Sequence, residues 1–190
     1  MTKRLTVCIY CASSERIDRL YFDDAARVGA LLGQQGMHVV NGAGSIGLMR
    51  AVTDAVLASG GQVTGVIPEF MVNRGLCHRN LTTVIPTKTM HERKKIMADL
   101  SDAVIALPGG YGTMEELLEI ITWRQLGLYH HPIIILNTNH FYDPLIEMLK
   151  RAHTEKFVRE EHAQLWHVAQ TPEEALNILL LTILPIAYNG

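Results

Sequence analysis

Apolar positions along this chain fall into short runs separated by stretches of helical spacing. Leu5–Tyr10 is nearly continuous in apolar and β-branched residues, as suits a strand buried on both faces. From about Asp18 to Gln35, the spacing of Leu20, Ala25, Val28, Leu31 and Leu32 predicts a helix that Gly36 stops. Met37–Val40 predicts a second strand, Leu48–Ser59 an apolar helix, and Gln62–Ile67 a third strand ended by Pro68. The pattern weakens through Arg79, which reads as a surface loop or short helix. Leu81–Ile85 then predicts a fourth strand and Thr89–Leu100 a helix. Ala103–Leu107 is a short buried strand, and the helix behind it runs to about Leu128. Pro132–Leu136 predicts a strand, Tyr142–Phe157 a helix, and Leu165–Val168 a last short strand. Thr171-Pro172-Glu173-Glu174 opens a terminal helix with a capping threonine, a first-turn proline and two acids facing the dipole. This alternation predicts an α/β fold: one domain over residues 1–190, with a Rossmann-like parallel sheet flanked by helices on both faces.

The 190 residues are enough for one substantial core, and the formal charge of −2 offers no basic field for a nucleic acid polymer or an anionic membrane. The N-terminus carries Lys3 and Arg4 without a long apolar segment after them, so no signal peptide is expected. Ala175–Tyr188 is apolar but too short to span a bilayer and contains Pro185; it reads as a packed terminal helix or a partner-covered surface. The expected compartment is the cytoplasm. Cys8-x-x-Cys11 invites a redox or zinc reading, but Cys8 lies inside a strand and no second pair stands at ligand spacing. The histidines lack HExxH or similar spacing, so no metal is assigned; no GxSxG nucleophile elbow occurs, and no cofactor is expected.

Three small-residue turns follow strands, where parallel sheets bind ligands. Cys11-Ala12-Ser13-Ser14 follows the first. Gly42-x-Gly44-x-x-Gly47 follows the second and matches the dinucleotide fingerprint, with Glu69 roughly where a ribose-binding acid would be sought. Pro108-Gly109-Gly110-Tyr111-Gly112-Thr113 lies between strand and helix, where bare N–H groups at a helix start suit a phosphate. A small phosphate-bearing ligand shared by two glycine turns fits better than a full dinucleotide; ligand-free tight turns are the plain alternative.

Charge supplies the remaining candidates. Met90, Arg93, Met97 and Leu100 share a helical face, so Arg93 interrupts an apolar stripe and either pairs locally or enters a cleft as a phosphate or substrate clamp. Lys94 and Lys95 fit a solvated face. Glu115, Glu116 and Glu119 crowd one helix start. Thr113-x-x-Glu116 matches a capping box, which competes with any catalytic role for Glu116.

Met90-His91-x-Arg93-Lys94 followed by Pro108-Gly109-Gly110-x-Gly112-Thr113-x-x-Glu116 resembles the paired signature of the LOG ("lonely guy") family, cytokinin riboside 5′-monophosphate phosphoribohydrolases often labelled possible lysine decarboxylases. The likeness extends from Cys8–Ser14 to Trp123-Arg124-Gln125-Leu126-Gly127. It implies a homodimeric enzyme that splits a nucleoside 5′-monophosphate (AMP or an N6-modified AMP) into free base and ribose 5-phosphate. The resemblance makes Arg93 and Glu116 catalytic. It gives phosphate binding to Gly109, Gly110, Gly112 and Thr113, with Ser14, Gly44, Ser45, Met90 and Lys94 also contacting the nucleotide. Two departures stand out: Ala43 where the family usually has glycine, and Arg50 where glycine is common. Rossmann-like carriers of the molybdenum cofactor resemble the glycine loop too, so a non-catalytic nucleotide or cofactor carrier is the alternative. A pyridoxal phosphate decarboxylase finds no support around Lys94 or Lys95.

Overall fold

A computed structural model describes residues 4–187. Seven strands form one sheet: β1 (Thr6–Tyr10), β2 (His38–Asn41), β3 (Gln62–Pro68), β4 (Thr83–Thr87), β5 (Ala103–Ala106), β6 (Ile133–Leu136) and β7 (His167–Ala169). The helices are α1 (Arg19–Gln34), α2 (Gly47–Ala58), α3 (Glu69–Val72), α4 (Met90–Asp99), α5 (Tyr111–Gln125), α6 (Asp143–Thr154) and α7 (Pro172–Ala187). Every pairing is parallel, in the order β4-β3-β2-β1-β5-β6-β7. The chain therefore winds outward from β1 to one edge, returns, and winds to the other from β5. Cys8 pairs with Val40 on one side and Val104 on the other. The order reverses between β1 and β5, and at such a switch point the loops part and leave a crevice.

Two apolar layers cover the sheet. Val28, Leu32, Val52, Val56 and Leu179, from α1, α2 and α7, join one layer; Met97, Leu117, Ile120 and Ile146, from α4, α5 and α6, join the other. Strand alternation sends Val7, Ile9 and Cys11 to the first layer, and Cys8 and Tyr10 to the second. Cys8 and Cys11 thus face opposite sides of the sheet. That placement removes the redox and zinc reading of their spacing.

Local signals fix several ends. Asp18 accepts the Leu20 N–H to start α1, and Gly36 leaves it at φ 68°. Thr89 and Thr171 cap α4 and α7, accepting from the N–H groups of Glu92 and Glu174. The weakly patterned stretch after Pro68 contains the one-turn α3. β4 runs later than the sequence predicts and includes Pro86, tolerated because β4 is an edge strand. α7 packs through Ala175, Leu176, Leu179 and Ile183; Tyr188, like Lys3, lies outside the described residues. Among the described residues no helix is long and apolar enough to cross a membrane.

The β2–α2 turn shows how Ala43 is accommodated. Its backbone adopts φ 60°, a conformation that costs a side-chain-bearing residue about 1 kcal/mol. Buried Asn41 accepts the Ala43 N–H and donates to Thr53 Oγ1 at 2.9 Å each, holding the turn in place. The Ala43 methyl sits over Gly65, where a Cβ would lie 2.5 Å from both Ala43 Cβ and Leu81 Cδ1. Gly65→Ala is therefore expected to destabilise the fold by about 1–3 kcal/mol. Urea unfolding checks this, and an unchanged midpoint would contradict the packing.

Candidate active site

The loops after β1 and β5 open onto a cavity of about 420 Å³. Cys11–Ser14 form one wall and the Gly110–Thr113 turn another. Met49 of α2 and Met71 of α3 add apolar surface, while Arg93 of α4 and Glu116 of α5 supply the charge.

Arg93 is only 6% exposed. Burying a guanidinium is costly unless its donors are satisfied. Here Nε donates to the Val66 carbonyl at 3.0 Å and Nη1 to Glu116 Oε1, also at 3.0 Å. Nη2 lies against Gly42, where a Cβ would be 1.7 Å from it. Arg93 is thus fixed by a strand end, a carboxylate and a missing side chain. Arg93 is therefore both paired, with Glu116, and part of the cavity wall.

Glu116 is the partner across the seam. Its side chain is about nine-tenths buried, and desolvation pushes its carboxyl above the ordinary glutamate range. Arg93 opposes that rise, Glu115 adds to it and Lys94 weakens it. The capping-box reading is corrected here. α5 begins at Tyr111, with Gly110 at the N-cap and no side-chain cap, so Thr113 is already inside the helix. Thr113 instead packs on Gly109, where a Cβ would stand 2.1 Å from its Oγ1. Glu116 is consequently free to face Arg93. With no side-chain cap bonded to it, the first turn of α5 keeps its N–H groups available to an anion.

The structure brings Ser14, Arg93, Gly110, Gly112, Thr113 and Glu116 together around the cavity. Gly109 lines a smaller apolar recess beside it, with Pro108, Ile17, Tyr21 and Phe141. The other candidates lie elsewhere. Gly44 bridges Cys77, and Ser45 donates its N–H to Leu76 and lines a separate polar depression with Arg50 and His78. Met90 is half-exposed at the start of α4 and outside the lining. Lys94 is buried and not solvated as its sequence setting predicts: its ammonium donates to Glu115 and, at 3.0 Å, to Glu119. Lys95 alone takes the exposed face, paired with Asp99.

The sequence did not reveal Gly42 as the space for Arg93, or Met49 and Met71 as lining. The fingerprint glycines drew attention to phosphate and away from side-chain packing. Met71 sits where the periodicity is weakest. Among the described residues no group of three or more side chains is arranged to hold a metal ion.

Fold and cavity together define a class, α/β proteins that take a small ligand at the switch point of a parallel sheet. The family described as possible lysine decarboxylase matches residues 49–179. The chain is 43% identical over 168 residues to cytokinin riboside 5′-monophosphate phosphoribohydrolase LOG of Oryza sativa subsp. japonica, covering 88% of this chain and 69% of that one. It is 41% identical over 173 residues to a cytokinin riboside 5′-monophosphate phosphoribohydrolase of Arabidopsis thaliana, covering 91% and 80%. The chain belongs to this LOG family. Among solved structures, the molybdenum cofactor binding protein of Rippkaea orientalis superposes with a TM-score of 0.73 at 20% identity, covering 96% of this chain and 99% of that one. The molybdenum cofactor carrier protein of Chlamydomonas reinhardtii gives 0.74 at 19%, with the same coverage. At that identity the likeness is one of fold.

Proposed function

We propose that this protein hydrolyses the N-glycosidic bond of a nucleoside 5′-monophosphate, AMP or an N6-modified AMP, to free base and ribose 5-phosphate. The observation that carries the reading is the buried Arg93–Glu116 pair on one wall of a cavity whose other wall is an uncapped helix start. A carrier needs the second feature; it has no need of a carboxylate held in a dry site against an arginine. The relatives at about 40% identity are named as phosphoribohydrolases, which favours turnover over carriage.

The 5′-phosphate seats on the Gly110–Thr113 turn, with Ser14 opposite. That handle places ribose C1′ near Glu116. Departure of the base leaves positive charge on C1′ and the ring oxygen, as in other glycoside cleavages. The Glu116 carboxylate stabilises that charge and accepts a proton from the attacking water, and that proton passes to the base nitrogen that left with the glycosidic electron pair. Arg93, held by Val66, keeps the carboxylate aimed and orients substrate oxygens. Met49 and Met71 supply an apolar wall. The cysteines, all unbridged, suit a reducing compartment such as the cytoplasm.

Because orientation by the phosphate carries much of the catalysis, adenosine is expected to react at least about 10³-fold less efficiently than AMP. Steady-state kinetics on both compounds check this, and equal kcat/KM values would remove the phosphate from the mechanism. The family resemblance also leads us to propose a homodimer. Tyr111, 92% exposed at the cavity lip, and Leu128, 68% exposed beyond α5, are apolar surface that a second copy can cover. Light scattering at the monomer mass would contradict it.

A further inference from the structure

α4 and α5 meet through two sets of charges. Arg93 and Lys94 are neighbours on α4, turned about 100° apart, so one enters the cavity and the other the seam between the helices. α5 answers with Glu116 on one side and Glu115 and Glu119, one turn apart, on the other. Lys94 is 6% exposed, whereas the Glu115 and Glu119 side chains are 56% and 27% exposed. The ammonium is therefore beneath its partners, between the helices, and does not line the cavity.

We propose that Lys94 is a positioning residue, which through its bonds to Glu115 and Glu119 fixes α5 on α4 and so sets the placement and charge of Glu116 opposite Arg93. The inference rests on the hydrolase reading above and reassigns Lys94 from substrate contact to the support of the carboxylate. Its physical basis is a balance of charges. Three acids occupy the start of one helix, and the ammonium, bonded to both of the acids beside Glu116, offsets one of their two charges. Without it, Glu115 and Glu119 repel each other and disfavour the charged form of Glu116. The other titratable groups about Glu116 are Cys8 and Tyr10 of β1, Cys11 just after it and Tyr142 ahead of α6, with the guanidinium of Arg93 as the facing cation. Burial pushes those thiols and phenols up, so they stay neutral and leave the α4 cations and Glu115 as the charges that tune it.

The sign follows from the role. Glu116 works ionised, so activity falls as pH drops through its pKa. Lys94→Met raises that pKa and moves the acid limb of kcat/KM to higher pH; Glu115→Gln lowers it and moves the limb to lower pH. Lys94→Met is also expected to lower kcat for AMP by about 10- to 100-fold through misplacement of the carboxylate, with KM changed by less than about threefold. Lys94→Arg is expected to restore most of the loss.

The test measures these profiles together with a carbon-13 NMR titration of the Glu116 carboxyl in the free protein, assigned with Glu116→Gln. Opposite displacements of the Glu116 titration in Lys94→Met and Glu115→Gln are the expected result. A raised KM with an unmoved acid limb would make Lys94 a substrate ligand and overturn the proposal. Displacements in the same direction, or none, would overturn it equally. If the wild-type protein releases no base, the hydrolase reading fails by itself, and the carboxyl titration still decides whether Lys94 governs Glu116. Should Lys94→Met fail to fold, Glu115→Gln at an exposed position carries the titration alone, and an unshifted carboxyl there refutes the coupling.

Discussion

Glu116→Gln is expected to lower kcat for base release by about 10³-fold while leaving the protein folded. The amide keeps an oxygen to accept from Arg93 Nη1, so the buried guanidinium is not stranded. Glu116→Ala would strand it, and such a loss costs about 3–5 kcal/mol. What glutamine cannot do is carry negative charge beside C1′ or take a proton from water. Steady-state kinetics with a thermal melt as control separate the two effects. A folded Glu116→Gln protein with full activity would show that the carboxylate has no chemical role.

Gly42→Ala is the second large effect, at a residue that touches no reacting atom. A Cβ there would lie 1.7 Å from Arg93 Nη2. The arginine side chain is the flexible partner and must give way, opening its bond to Glu116 and its bond to Val66. A shift of about 1 Å in such a pair costs about 10²-fold in rate. The loss should fall on kcat, with KM for AMP nearly unchanged, because the phosphate turn lies on the other wall. Kinetics of the variant check this; a fall in binding with kcat intact would mean that Gly42 serves the phosphate and not the arginine.

The sheet and most of its helices were legible because each is encoded locally. Buried strands such as Ile133–Leu136 are continuous apolar runs, and the caps Thr89 and Thr171 announce their helices. The same local logic misplaced Thr113. It has the capping-box spacing, but the N-cap is Gly110, three residues before Thr113, and Thr113 is absorbed into packing with Gly109. Lys94 failed for a related reason. Its neighbours on α4 give a solvated setting, while its partners, Glu115 and Glu119, arrive from another helix. Arg93 was visible as an anomaly on an apolar face, yet the glycine that makes room for it lies on β2's turn, and no pattern along the chain joins the two. The site was thus legible as a set of residue types; which of them meet is decided by the switch point that brings β1 and β5 together.

The central claim is that this cavity breaks a glycosidic bond. The most direct measurement is incubation of the protein with AMP and with isopentenyladenosine 5′-monophosphate, following free base and ribose 5-phosphate by chromatography. The account predicts both products in equal amounts from at least one of the two nucleotides, and their loss in Arg93→Ala and Glu116→Gln. Nucleotide bound tightly and recovered intact would contradict it and make the protein a carrier.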